Sequence, residues 1–208
     1  MDAKTERIIY LDHAATSWPK PPEVIEAVRE AMVHDGANPG RGSHRMAVSA
    51  GRIVFEARKA LAELFRIANP NDIALTFNTT IALNMAIKGC LKPGDHVVAT
   101  AVEHNAVRRP LEHLKRTIGV KVTYVETDER GRLDPTRVRE ALLPDTKLVI
   151  VNHSSNLLGS ILPVAEIGTM TRKRGIRLLV DAAQSAGILP IRSEERRVGK
   201  ECRSRWSP

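Results

Sequence analysis

An acid closes an apolar run in Leu178-Leu179-Val180-Asp181, and the polar or small residues Ala182-Ala183-Gln184-Ser185 follow it. A carboxylate at the carboxyl end of a buried strand is placed to meet a ligand, because open α/β sheets bind ligands where the strands leave the apolar layer. Three more junctions have the same character. Thr79-Thr80 lie between an apolar run and a helical pattern, where hydroxyls and unpaired backbone N–H groups suit a phosphate; threonine is equally an ordinary helix N-cap. His104 follows the run His96–Thr100, where an imidazole can stack on a flat ring, act as an acid or base, or simply sit solvated in a loop. Asn156 follows the run ending at Val151 in the same way. Taken singly, Asp181 also suits a helix N-cap and Gln184 a solvated loop. Together, four strand-to-helix junctions direct polar groups to one edge of a sheet.

The elements that would position these groups follow from periodicity. Alternating β-rich runs predict strands over Ile8–Leu11, Ile73–Phe77, His96–Thr100, Lys121–Val125, Leu148–Val151 and Arg177–Val180. Apolar spacing of three and four residues predicts helices over Pro22–His34, Ala47–Phe65, Ala82–Lys88, Ala106–Thr117, Pro135–Leu143 and Val164–Arg174. Strands separated by helices of this length indicate βαβ units and a mostly parallel sheet covered on both faces. The segment Asn38-Pro39-Gly40-Arg41-Gly42-Ser43-His44 is a loop rich in turn formers.

Composition narrows the function. The 208 residues are 42% hydrophobic, enough for a sizeable core, and no apolar run approaches the length that spans a bilayer. Residues 1–20 lack the zones of a signal peptide, so a cytoplasmic protein is expected. Of the net charge of +8, residues 192–208 supply +3 from six Lys/Arg against three Glu, leaving +5 for the rest. With 3% aromatic residues and no recognition motif, a nucleic-acid partner is not expected. Cys90 and Cys202 are too few for a disulfide framework and lack metal-ligand spacing, so no metal is expected. Cys90 reads as a small core residue.

The order and spacing of these motifs resemble the class V aminotransferase family, most closely its cysteine desulfurase branch. The resemblance rests on Tyr10-Leu11-Asp12-His13-Ala14-Ala15-Thr16, the loop Asn38–His44, Asn78-Thr79-Thr80 with Leu83-Asn84-Met85-Ala86, Glu103-His104-Asn105, Asn156 with Gly159, and Asp181-Ala182-Ala183-Gln184-Ser185-Ala186-Gly187. It implies the large domain of the pyridoxal-phosphate-dependent aminotransferase fold (fold type I) and pyridoxal 5'-phosphate as cofactor. It further implies that Asp181 pairs with the pyridine nitrogen, that Gln184 and Asn156 approach the phenolic oxygen, and that Thr79 and Thr80 hold the phosphate. His104 would stack on the ring and serve in proton transfer. The implied substrate is L-cysteine, converted to L-alanine with sulfur passed to an enzyme persulfide for iron–sulfur cluster or thio-cofactor synthesis. Homodimers and a sulfur-acceptor protein are implied partners.

Departures from the family pattern set further expectations. The family's cofactor-bearing lysine, in a Ser-x-His-Lys context about twenty-five residues after the aspartate, has no match here; the only lysine after Asp181 is Lys200, in Val198-Gly199-Lys200-Glu201. The persulfide cysteine and the arginine that grips the substrate carboxylate have no match either. Ile81 stands where many relatives carry Glu. Residues 1–191 are therefore expected to be an N-terminal segment with an incomplete cofactor domain, and residues 192–208, which lack periodicity, a non-native tail. The expected product is an inactive N-terminal fragment of a cysteine desulfurase, with selenocysteine lyase or another class V enzyme as the sibling alternative.

Overall fold

The structure, a computed structural model, describes residues 8–191. Packing divides the chain into two units, Met1–Leu61 and Ala62–Pro208. In the first, Pro19 follows a cis peptide bond, and helix α1 (Pro22–His34) has proline in its first turn and buries none of its residues. Helix α2 (Arg45–Phe65) runs across the division. Ile8–Leu11 is not a strand. Ile9 and Leu11 are 74% and 88% exposed, and no described residue pairs with them. The neighbouring Tyr10 instead organises a turn, donating its hydroxyl to the carbonyls of Asp12 (3.0 Å) and Thr16 (2.8 Å).

The second unit holds a sheet of four parallel strands: β1 (His96–Thr100), β2 (Lys121–Val125), β3 (Thr146–Asn152) and β4 (Arg177–Asp181), in the order β2-β1-β3-β4. Helices α3 (Thr79–Cys90), α4 (Asn105–Ile118), α5 (Pro135–Glu140) and α6 (Val164–Lys173) accompany it. Side chains alternate across the pleat and so sort into two cores. Val97, Ala99, Leu148 and Ile150 pack with Leu83, Ile87, Val107 and Leu111 of α3 and α4. Val98, Val149, Val151 and Leu178 pack with Val138 of α5 and Val164 and Ile167 of α6 on the other face. Strands β1 and β3 bury apolar residues on both sides, as a parallel sheet between helices requires.

Ile73–Phe77, predicted as a strand, pairs with nothing among the described residues; Phe77 is 97% exposed. Its composition suits a strand, but a strand exists only through its ladder, and none of the four strands pairs with it. Helix α5 stops at Glu140, short of the predicted Leu143, and the Thr146 hydroxyl takes the Leu143 N–H (2.8 Å). Strand β4 runs one residue further than its apolar run, so Asp181 is its last residue.

At the amino ends of the strands, the buried His96 ring joins three of them through Thr146 Oγ1 (2.7 Å) and Thr123 Oγ1 (2.9 Å). Burial holds its pKa below the ordinary histidine value, which favours the neutral ring. At the other ends, the connection after β1 leads to β2 on one side and the connection after β3 leads to β4 on the other. The strand order therefore reverses between β1 and β3, which opens a crevice at their carboxyl ends.

Ile150 is fully buried at the centre of the sheet. Its replacement by alanine is expected to cost about 2–5 kcal/mol in urea denaturation. Phe77→Ala, at an exposed position, should change stability by less than about 0.5 kcal/mol.

Candidate active site

Helix α3 begins at Thr79, and its cap is Asn78, whose Oδ1 accepts the Ile81 N–H (2.9 Å). The threonines are thus not the cap. They occupy the first two helical positions, with exposed hydroxyls beside the positive end of the helix dipole, a setting that suits an anion.

His104 caps α4: its Nδ1 accepts the Ala106 N–H (3.1 Å), so the proton of the neutral ring lies on Nε2. The ring is exposed. Helices α3 and α4 are tied where they carry these groups. Pro110 has no N–H to give the Ala106 carbonyl four residues before it, and Asn84 of α3 supplies a donor instead (Nδ2, 3.4 Å) while also bonding the Thr80 carbonyl (3.0 Å). A hollow of about 420 Å³ lined by Thr80, Asn84, His104 and Arg109 lies along this seam. A larger one, about 620 Å³, lies at the amino ends of the strands beside Thr146 and Arg177, away from the polar junctions. The smaller hollow joins the start of α3 to the imidazole of His104, and Asp181 stands at the carboxyl end of β4, on the same edge of the parallel sheet as His104.

Asp181 is 6% exposed, and its Oδ1 accepts the Ala183 N–H (3.0 Å), which aims the carboxyl within the turn that follows β4. No helix follows among the described residues, so it caps none of them. It is a buried carboxyl with no ion pair among the described residues, and its ionised form would suit a cation. Gln184, half-buried, lies in the same turn. Asn156 is exposed in a turn closed by Gly159, whose positive φ of 67° suits glycine and whose N–H bonds the Ser155 carbonyl (2.9 Å). Thr80 and His104 share one hollow, and Asp181 and Gln184 share one turn. Asn156 rises from the neighbouring β3 junction.

Two residues to which the sequence assigns no role stand beside these groups: Glu103 precedes His104, and Asn152 pairs in register with Asp181. Glu103, 5% exposed, accepts the Thr100 hydroxyl (2.6 Å) and the Asn152 N–H (2.8 Å) on Oε1. Asn152 ends β3 opposite Asp181 in register and donates its Nδ2 to the Val102 carbonyl (3.0 Å). Burial pushes the Glu103 carboxyl up to about 7; the charge of Asp181 adds to the rise, and the hydrogen bonds from Thr100 and Asn152 oppose it. The available signal was Glu103's place immediately before His104 in a strand-end motif.

The family profile described as "Aminotransferase class-V" matches residues 9–198. The protein named cysteine desulfurase IscS of Ectopseudomonas mendocina (strain ymp) is 40% identical over 196 residues, 91% of this chain and 48% of that protein. The apo structure of the cysteine desulfurase from Thermococcus onnurineus NA1 superposes with a TM-score of 0.84 at 36% identity, covering 90% of this chain and 47% of that one. The structure described as "SspA in complex with cysteine" superposes with a TM-score of 0.83 at 30% identity, covering 89% and 54%. The chain spans about half the length of the curated relatives it matches.

The raised Glu103 carboxyl has a signed consequence for stability. An acid whose folded pKa lies above its unfolded value stabilises the fold fully below the unfolded pKa, and that contribution is lost as pH rises through the folded one. The window runs from 4.5 to about 7, and the contribution is about 3 kcal/mol. Glu103→Gln removes this term, so the stability difference between mutant and wild type should shift in the mutant's favour from pH 5 to pH 8 in denaturant titrations.

Proposed function

This chain belongs to the aminotransferase class-V family, and we propose on that premise that it forms the cofactor-binding part of a pyridoxal-phosphate-dependent cysteine desulfurase. The observation that carries the proposal is the buried carboxyl of Asp181 at the end of β4, without a cation among the described residues, in a row of polar strand ends. A protonated pyridine nitrogen is the cation that such a site suits. The donor set fits the rest of the cofactor: hydroxyls and first-turn N–H groups of Thr79 and Thr80 for a phosphate, side-chain amides of Asn156 and Gln184 for a phenolic oxygen, and the exposed imidazole of His104 for a ring face.

When bound, pyridoxal phosphate supplies an electron sink for the pair released at the substrate Cα. The chain's residues set that sink's properties. Asp181 holds the proton on the ring nitrogen through a charge-assisted hydrogen bond, roughly twice as strong as a neutral one. Thr79 and Thr80 anchor the phosphate and so orient the ring. His104, with Nδ1 engaged by Ala106, presents Nε2 for proton transfer. Asn156 and Gln184 hold the phenolic oxygen.

The proposed substrate is L-cysteine, converted to L-alanine with transfer of sulfur to an enzyme persulfide. No lysine, cysteine or arginine of these 208 residues stands in the family context for the cofactor link, the persulfide or the substrate carboxylate. The proposal for this chain alone is therefore cofactor binding without turnover. For the whole protein we propose a cytoplasmic homodimer that passes sulfur to an acceptor protein for iron–sulfur cluster assembly; no described helix is long and apolar enough to cross a membrane.

Pyridoxamine 5'-phosphate, which cannot link to surface lysines, tests the site by its own fluorescence. Asp181→Asn is expected to weaken its binding about 10- to 100-fold, the value of one hydrogen bond to a charged group. Equal affinity in the two proteins would remove Asp181 from the site. With pyridoxal phosphate and L-cysteine, the chain should release no sulfide above buffer; release abolished by Asp181→Ala would refute inactivity.

A further inference from the structure

The carboxyl edge of the sheet carries two buried acids, one after β1 and one at the end of β4. Glu103 and Asp181 are both buried, and neither has an ion pair among the described residues. Their charges sense one another. Two ionised carboxyls so placed repel each other and lose their hydration together, and the arrangement is relieved when one holds a proton.

Hydrogen-bond accounting identifies which one. Glu103 Oε1 is a double acceptor, while Oε2 is buried without a partner. The Oδ1 of Asn152 is also buried without a partner. These two orphaned oxygens belong to residues already joined by the bond from the Asn152 N–H to Oε1. Two acceptors cannot satisfy each other, but a hydrogen on Oε2 would turn one of them into a donor, and the orphaned acceptor Asn152 Oδ1 belongs to the residue that Glu103 already holds. Oε1, now the carbonyl oxygen of a neutral acid, keeps both of its donors. Buried polar atoms are rarely left unpaired, so two orphans on neighbouring groups call for a shared hydrogen.

We propose that Glu103 is a positioning residue, a neutral carboxylic acid that donates from Oε2 to Asn152 Oδ1 and leaves Asp181 as the one buried negative charge at this edge among the described residues. Glu103 then acts through Asp181. It clamps the turn bearing His104 to the last residue of β3 without adding a second charge to the site, and Asp181 lies opposite that residue in register. The groups facing it are Thr100 on β1, Asn152 on β3 and Asp181 on β4. The adjacent His104 is turned to the Ala106 N–H. The upward displacement of the Glu103 carboxyl agrees with this assignment. That the charge of Asp181 serves a ring cation rests on the proposed function; the protonation of Glu103 does not.

Infrared titration of the 208-residue chain tests the assignment, because an undissociated carboxyl has a carbonyl stretch separate from that of carboxylates. One such band should persist after the exposed acids have ionised and titrate with a midpoint near 7. It should vanish in Glu103→Gln, whose amide can still accept at Oε1 and donate to Asn152 Oδ1. In Asp181→Asn, which keeps the acceptor for the Ala183 N–H, the midpoint should fall by about one unit, a tenfold change in the ionisation constant. Absence of the band at neutral pH, or its survival in Glu103→Gln, overturns the neutral acid. An unmoved midpoint in Asp181→Asn overturns the coupling. If Glu103→Gln fails to fold, the wild-type and Asp181→Asn titrations decide the matter. Saturating pyridoxamine 5'-phosphate should also lower the midpoint, by compensating Asp181. Failure of that compound to bind, with the band behaving as expected, overturns the cofactor assignment and leaves Glu103 a neutral acid.

Discussion

The bond from the Asn152 N–H to Glu103 Oε1 spans the point where the strand order reverses, and the geometry of the candidate site depends on it. A parallel strand ends with an N–H that has lost its ladder partner, and at this depth water is not available to take it. Glu103 folds back from the turn after β1 to accept that N–H while also accepting the hydroxyl of Thr100 on β1. The turn that carries His104 is thereby held against β3. Because Asn152 is paired in register with Asp181, the placement of the imidazole and of the acid share one reference.

The rest of the second unit makes this bond rigid. The sheet is apolar on both faces, with α3 and α4 on one and α5 and α6 on the other. Strand ends in such a sandwich have little room to shift, because any displacement disturbs two packed layers. At the amino ends, His96 ties β1 to its neighbours through Thr123 and Thr146. At the carboxyl ends, Pro110 leaves the Ala106 carbonyl to Asn84, so α3 and α4 meet where Thr80 and His104 lie. A residue that weakens its own helix thus supplies the acceptor that aligns two helices.

Much of this was legible in the sequence. The four paired strands were found within two residues of their ends, since buried parallel strands read as short β-branched runs between turn formers. Thr79, Thr80, His104, Asn156, Asp181 and Gln184 stand out as site candidates from their place after such runs. Ile8–Leu11 and Ile73–Phe77 carry the same composition, yet neither is a strand, because a ladder needs a neighbour and propensity does not supply one. Asn78, rather than a threonine, caps α3, a choice between adjacent polar residues that local pattern leaves open.

What the sequence determined by itself was the order of chemistry along the chain: which junctions carry an acid, an imidazole, hydroxyls and amides, and that they follow apolar runs. Those are local properties, written in neighbouring residues. Only the tertiary structure decided that Glu103 is buried, that Asn152, 49 residues away, is its partner, and that Asp181 stands opposite that partner. Burial and cross-strand contact follow from the order β2-β1-β3-β4, and that order is set by how two layers of helices pack on one sheet, not by any stretch of residues read alone.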